Sequence, residues 1–206
     1  MGVWLFGNTL FLGSFLMFLM EPIVTRMVLP QLGGGPMVWN TCLVFFQATL
    51  LAGYACAHGA TRLLGRRSVI VYGLLLFLPW LVLPISISAP PVTSNSPALW
   101  LLSALAISIG LPFLVLSMGA PGLQGWFART ADPAGRDPFF LYAASNFGSL
   151  LALLSYPTVV EPLFPLRTQA RLWGLGYGHL SSSPCGAALL RGVTATAPGQ
   201  RLHVMM

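Results

Sequence analysis

Long apolar runs, separated by short polar or glycine- and proline-rich stretches, make up most of this chain. Residues 3–20, 37–57, 69–88, 98–118 and 139–156 are each apolar on all sides. A helix needs about 20 such residues to cross the hydrocarbon layer of a bilayer. Barrel strands would alternate apolar and polar residues, and these runs do not. Within lipid the backbone polar groups must be satisfied inside the segment, so runs of this kind are helical. The pattern predicts an all-α, polytopic transmembrane helix bundle with five full spans and a partial sixth.

Turn and cap residues punctuate the runs. The first continues past Glu21-Pro22 and ends at Leu29-Pro30. Gly33-Gly34-Gly35-Pro36 then makes a turn, with Pro36 suited to the first position of the next helix. Ser96-Pro97 and Asp137-Pro138 are N-cap and N1 pairs that open the fourth and fifth spans, and Asp132-Pro133 precedes the latter. Trp126 and Phe127, beside Arg129, are expected to sit at the membrane interface. Small residues recur every fourth position: Ala144, Gly148 and Ala152 in the fifth span, Ala48 and Ala52 in the second, Ala104 and Ser108 in the fourth. Lipid supplies no hydrophobic drive for helix association, so close backbone approach along such stripes is what packs a bundle. After Arg171 the character changes. Residues 172–180 begin a sixth span that is short and glycine-rich, and Ser181-Ser182-Ser183-Pro184 interrupts it. The division expected is a multi-pass membrane domain over 1–178 and a disordered tail over 179–206.

Composition agrees with the pattern. The chain has 206 residues, of which 56% are hydrophobic and 7% charged, where soluble domains are about a quarter charged. Its mean hydropathy is +0.79. The net charge of +6 comes from arginine alone. In a soluble protein that excess would suggest nucleic acid; in a membrane protein it sets topology. Arg62, Arg66 and Arg67 lie between the second and third spans, and Arg129 and Arg136 between the fourth and fifth. Both loops, and hence the N-terminus, are expected to be cytoplasmic. The uncharged loop at 89–97 falls outside, as do Arg26, Arg167 and Arg171, which run against the bias. The partner implied is the lipid bilayer and not nucleic acid. Cys42 and Cys56 lie on one helix, roughly 21 Å apart at 1.5 Å per residue, too far for a disulfide. Cys185 stands alone in the tail. The first run lacks the basic start and small-residue cleavage site of a secretory signal, so it reads as a retained span.

Ionisable residues beside a span are costly and face protein or water. Glu21 and Arg26, and in a short echo Glu161 and Arg167, follow apolar runs at the same expected outer face, each glutamate preceding a proline. They read either as a substrate or proton site near the outer mouth or as interfacial ion pairing and a snorkelling arginine. Gln47 and Asn146 are the strong hydrogen-bonders nearest the middle of their spans, and Tyr142 and Ser149 extend a polar stripe around Asn146. They read either as an interhelical hydrogen bond or as the lining of a midplane solute site, with Gln47 and Asn146 facing one interior. Pro79, Pro84 and Pro112 are kinks of the kind membrane helices tolerate, and His58 marks the cytoplasmic end of the second span. Walker, dinucleotide and zinc-protease sequences are absent. No catalytic residue, metal or cofactor is therefore expected.

Several segments carry a family resemblance. E-P-I-V-T-R-M-V-L-P-Q-L-G-G-G-P-M-V-W-N-T at 21–41, F-F-Q-A-T-L-L-A-G-Y-A-C-A-H at 45–58, G-L-P-F-L-V-L-S-M-G-A-P-G-L-Q-G-W-F-A-R-T at 110–130 and D-P-F-F-L-Y-A-A-S-N-F-G-S-L-L-A-L-L at 137–154 resemble the membrane domain of fused major-facilitator/spermidine-synthase proteins. The resemblance covers roughly residues 5–178 in order and spacing. G-A-T-R-L-L-G-R-R at 59–67 is similar to the basic loop of major facilitators, except that Thr61-Arg62 stands where that loop has an acidic residue. The resemblance implies a major-facilitator-like half in a bacterial inner membrane, joined to a soluble aminopropyltransferase-like domain or to further helices. No such soluble domain is in the chain, so it is not expected to be an enzyme, and a truncated product with an unrelated tail from about Leu180 is expected. The functions implied are a transporter-like module, a non-transporting anchor for such an enzyme, or an inactive fragment.

Overall fold

The computed structural model describes residues 2–87, 96–128 and 139–182. The described residues are helical with short connections and form no strand. Helix α1 spans Gly2–Val28, α2 Pro36–Leu64 and α3 Arg67–Leu75. Helix α4 runs over Pro97–Phe127, α5 over Phe139–Leu163 and α6 over Leu166–Ser182. Four of them, α1, α2, α4 and α5, are long and apolar enough to cross a membrane.

The helix ends follow local chemistry. Pro22 sits inside α1 without ending it, and the helix stops in a tight turn over Leu29–Gln31. Gly33 and Gly34 then take positive φ, which glycine alone adopts at little cost. Pro36 opens α2 and Pro97 opens α4, where a missing N–H costs nothing. Ser96 occupies the N-cap of α4, but its hydroxyl makes no capping bond. Two wide, π-type turns, Ala106–Gly110 and Tyr156–Val160, lie just before Pro112 and Pro162. A proline ring clashes with the carbonyl four residues back. In each case that carbonyl, of Ser108 or Thr158, belongs to the widened turn, which relieves the clash and keeps the helix running.

The third expected span is corrected. Residues 69–88 are not one helix: α3 ends at Leu75, a short 3-10 turn covers Leu78–Leu81, and residues 82–87 are irregular. Pro79 and Pro84 each lack the N–H that helix continuation needs. The fifth span is longer than expected, because the wide turn carries α5 past Tyr156 to Leu163. Helix α6 starts at Leu166 and reaches Ser182, beyond the expected boundary at 178, and buries Leu180 and Ser181. Arg129, Asp132, Arg136, Asp137, Cys185 and the tail from 183 lie outside the described residues.

Packing gives the order α5, α1, α4, α2 across the bundle, with α6 laid on α1 and α3 lodged against α2 and α4. The α1–α5 seam is the tightest. Gly148 faces the Phe11 backbone so closely that a Cβ there would overlap the Phe11 carbonyl oxygen. Ala152, one turn on, is fully buried, so the small-residue stripe on α5 packs as expected. On α2 the stripe is corrected: Ala48 and Ala52 are exposed, and the close approach is made by Gly53 against Ser117 of α4. The apolar core divides by end. Ile23, Phe46, Leu101 and Trp173 belong to a cluster toward the Arg26 end, and Phe6, Tyr72, Trp126 and Phe127 to one toward the Arg62 end. Trp126 and Phe127 are thus core residues and not interfacial anchors, since the indole of Trp126 donates inward to Ser68 Oγ at 2.9 Å.

Hydrogen bonds tie α6 to α1 and to the segment that follows α3. Trp173 Nε1 donates to the Leu16 carbonyl at 2.7 Å and fixes α6 on α1. The Tyr177 hydroxyl donates to the Leu76 carbonyl at 2.8 Å, where α3 gives up its helical pattern. Trp80 Nε1 donates to Ser181 Oγ at 3.2 Å. Within a bilayer such bonds contribute about 0.6 kcal/mol on average and up to about 1.7.

Candidate functional site

Polar groups concentrate at the end of the bundle where α1 and α5 finish and α6 begins. Arg26 lies in the last turn of α1, and Glu161 follows the wide turn of α5. They form an ion pair, each side chain about two-fifths exposed. The pairing joins the two echoed segments to each other: the arginine of the first meets the glutamate of the second. Glu21 is half-buried in α1 and in no ion pair among the described residues. The buried side of Tyr156 lies within electrostatic reach of both Arg26 and Glu161.

Pro162 and Pro165 shape the connection from α5 to α6. Phe164 is extended, as a residue before proline prefers. Its carbonyl would be left without a donor, and Gln169 supplies one: Nε2 donates to the Phe164 carbonyl at 2.7 Å and to that of Val160 at 3.4 Å. Gln169 is only 2% exposed, and its Oε1 meets no donor among the described residues. A cleft of about 310 Å³ opens here, lined by Arg26, Glu161, Phe164, Pro165 and Gln169.

A second cleft, of about 510 Å³, lies on the other side of Leu166. Met27 in the last turn of α1, Gln31 just after it, residues 84–87, and Arg167 and Arg171 of α6 line it. Gln31 ties the irregular segment to α1, since its Nε2 donates to the Met27 carbonyl at 3.1 Å and to the Ile87 carbonyl at 3.3 Å. Its Oε1 is buried and meets no donor among the described residues.

The midplane residues lie elsewhere. Gln47 is exposed on α2, and Tyr142, at 50% exposure, and Asn146 are exposed on α5. Neither amide enters the packed interior, and they stand on the two outermost helices of the row. Ser149 is half-buried and donates to the Ser145 carbonyl at 3.1 Å. The polar side-chain contact between α1 and α5 is Ser14 with Ser145, Oγ to Oγ at 2.7 Å. Ser145 stands one turn before Gly148, so the stripe that marked the seam also pointed to it. Arg62, Arg66 and Arg67 are exposed at the opposite end of the bundle from Arg26. Gln31 and Gln169 are the site residues that sequence reasoning passed over. Their signal was adjacency to a proline-broken helix end, where carbonyls need outside donors.

The interior itself has little room. Between α1, α3, α4 and α6 lies a cavity of about 20 Å³, lined by Thr9, Ser14, Tyr72 and Gly119 among others, enough for about one water. Among the described residues no group of three or more His, Cys, Asp or Glu side chains is gathered as a metal site. No protein family, curated protein sequence or solved structure matches the chain.

Proposed function

We propose that this chain is a transporter-like membrane module, a major-facilitator-like half whose solute path runs along the outward faces of α2 and α5 and is closed by further membrane helices. One observation carries the reading. Gln47 and Asn146 are exposed near the middle of long apolar helices. Strong hydrogen-bonding groups at that depth almost always face a partner or a water-filled space. The packed interior does not receive them, since both side chains are exposed and neither lines the small cavity between α1, α3, α4 and α6. On this reading the four long helices are the spans of the half, α6 is the partial sixth, and the broken segment from α3 onward stands where a third span was expected. The resemblance to fused major-facilitator/spermidine-synthase proteins agrees with a half-bundle.

The bacterial inner membrane and a cytoplasmic N-terminus complete the proposal. Arg62, Arg66 and Arg67 support the orientation, because three cations on one short connection favour the cytoplasmic side. Cysteine accessibility at Arg62→Cys and Gly35→Cys, in a chain whose own cysteines are replaced by serine, tests it in intact cells, with labelling at residue 35 alone expected.

The second reading is a non-transporting anchor that holds an aminopropyltransferase-like domain at the membrane. The small size of the cavity between α1, α3, α4 and α6, about 20 Å³, favours it. Uptake into proteoliposomes, compared for the wild type and Gln47→Leu with Asn146→Leu, separates the two. Loss of uptake in the double variant supports the carrier, and unchanged uptake removes the proposed path.

A further inference from the structure

The basic residues at the Arg26 end are not accounted for by anything above. Arg167 and Arg171 stand four apart on α6, hence on one face, and both line the larger cleft. Both are exposed and in no ion pair among the described residues. The chain has four acidic residues: Glu21, Asp132, Asp137 and Glu161. Asp132 and Asp137 lie outside the described residues. Glu161 is engaged by Arg26, and Glu21 does not line the cleft. Among the described residues no carboxylate lines this cleft to neutralise the two guanidinium groups, which repel each other across one helical turn.

We propose that this cleft holds a phosphate group, met by the paired guanidinium forks of Arg167 and Arg171, with a neighbouring hydroxyl or ammonium of the same ligand donating to Gln31. Guanidinium groups match phosphate in shape as well as charge. The Gln31 amide orientation follows from its two carbonyl partners, Met27 and Ile87, which leaves Oε1 as an acceptor with no donor among the described residues. The volume, about 510 Å³, exceeds what a bare phosphate fills, and the Met27 and Ile85 side of the wall is apolar. A phospholipid headgroup satisfies all of these features; inorganic phosphate satisfies the charge alone. The proposal rests on the membrane-embedded reading of the long helices and not on transport.

The test uses the full chain purified in dodecyl maltoside from membranes containing phosphatidylethanolamine and phosphatidylglycerol. Native mass spectrometry reads retained phospholipid for wild type, Arg167→Gln with Arg171→Gln, and a control, Arg62→Gln with Arg67→Gln, at the opposite end. Retention roughly thirtyfold weaker in the first double variant, and unchanged in the control, is expected for two lost arginine–phosphate contacts. Equal retention in all three, or equal loss in both double variants, overturns the proposal. Should the first double variant fail to elute as folded protein, Arg171→Gln alone carries the test, with about fivefold weaker retention expected. A second arm titrates delipidated protein with inorganic phosphate, read by phosphorus NMR. Phosphate that phosphatidylglycerol displaces assigns the site to the lipid, and phosphate that it does not displace assigns the site to the free anion. A chain recovered folded from the soluble fraction would instead remove the membrane reading beneath both proposals.

Discussion

Helices α2 and α5 each have two unlike sides. The inward sides carry Gly53 and Gly148, where neighbouring helices approach so closely that no side chain fits. The outward sides carry Gln47, Tyr142 and Asn146, polar groups that meet no packed neighbour. The inward sides are built for permanent contact, because dispersion at short range is the only general attraction between helices in lipid. The outward sides are costly to leave in hydrocarbon and so point to something transient or separate that covers them. Stability and function are therefore expected to respond to opposite sides of the same two helices.

The largest loss is expected at the α1–α5 seam. Gly148→Leu drives a side chain into the Phe11 backbone, which cannot yield as a flexible side chain can. A destabilisation of about 3 kcal/mol follows from overpacking of this kind. Reversible unfolding in mixed micelles measures it, and a wild-type midpoint would break the account of this seam. At the α2–α4 contact Gly53→Ala meets the hydroxymethyl group of Ser117. The cost is about 2 kcal/mol, and Ser117→Gly in the same chain should recover most of it. Failure of that rescue would show that Leu114, whose carbonyl is next nearest, limits the approach.

Smaller losses are expected where polar contacts join elements. Trp173→Phe keeps an aromatic ring but removes the donor to the Leu16 carbonyl, at about 1 kcal/mol. Arg26→Gln breaks the ion pair with Glu161. Both side chains are two-fifths exposed, so solvent screening limits the effect to about 0.5 kcal/mol. The exchanged pair, Arg26→Glu with Glu161→Arg, should regain it.

What was legible in the sequence follows the same division. Apolar length announced α1, α2, α4 and α5, because spanning a bilayer is a one-dimensional constraint. The stripe of Ala144, Gly148 and Ala152 announced the α5 seam, because small residues at four-residue spacing have few other uses. Residues 69–88 misled, because apolar content says nothing about the backbone donors that Pro79 and Pro84 remove. Ala48 and Ala52 misled because a stripe fixes a face and not which neighbour it meets. The Arg26–Glu161 pair lay 135 positions apart in the chain, so no local pattern could join them, although each had been singled out. Gln31 and Gln169 went unnoticed because their partners are carbonyls, which every residue has and no sequence marks.

Least of all should folding respond to the outward amides, and this is the prediction that most sharpens the contrast. Gln47→Leu and Asn146→Leu replace exposed polar groups with apolar ones of similar size. Neither amide touches the packed interior, so the unfolding midpoint should stay within about 0.5 kcal/mol of wild type, as for surface changes away from special features. In a bilayer the change removes an unpartnered amide from an apolar helix, so any shift should be toward greater stability. Solute uptake should fall nonetheless, since the carrier reading puts both amides on its path. Destabilisation comparable to Gly53→Ala would mean that something packs on these faces for structural reasons alone, which is what an anchor requires. Unaltered stability with lost uptake separates the two sides of each helix into one that builds the bundle and one that uses it.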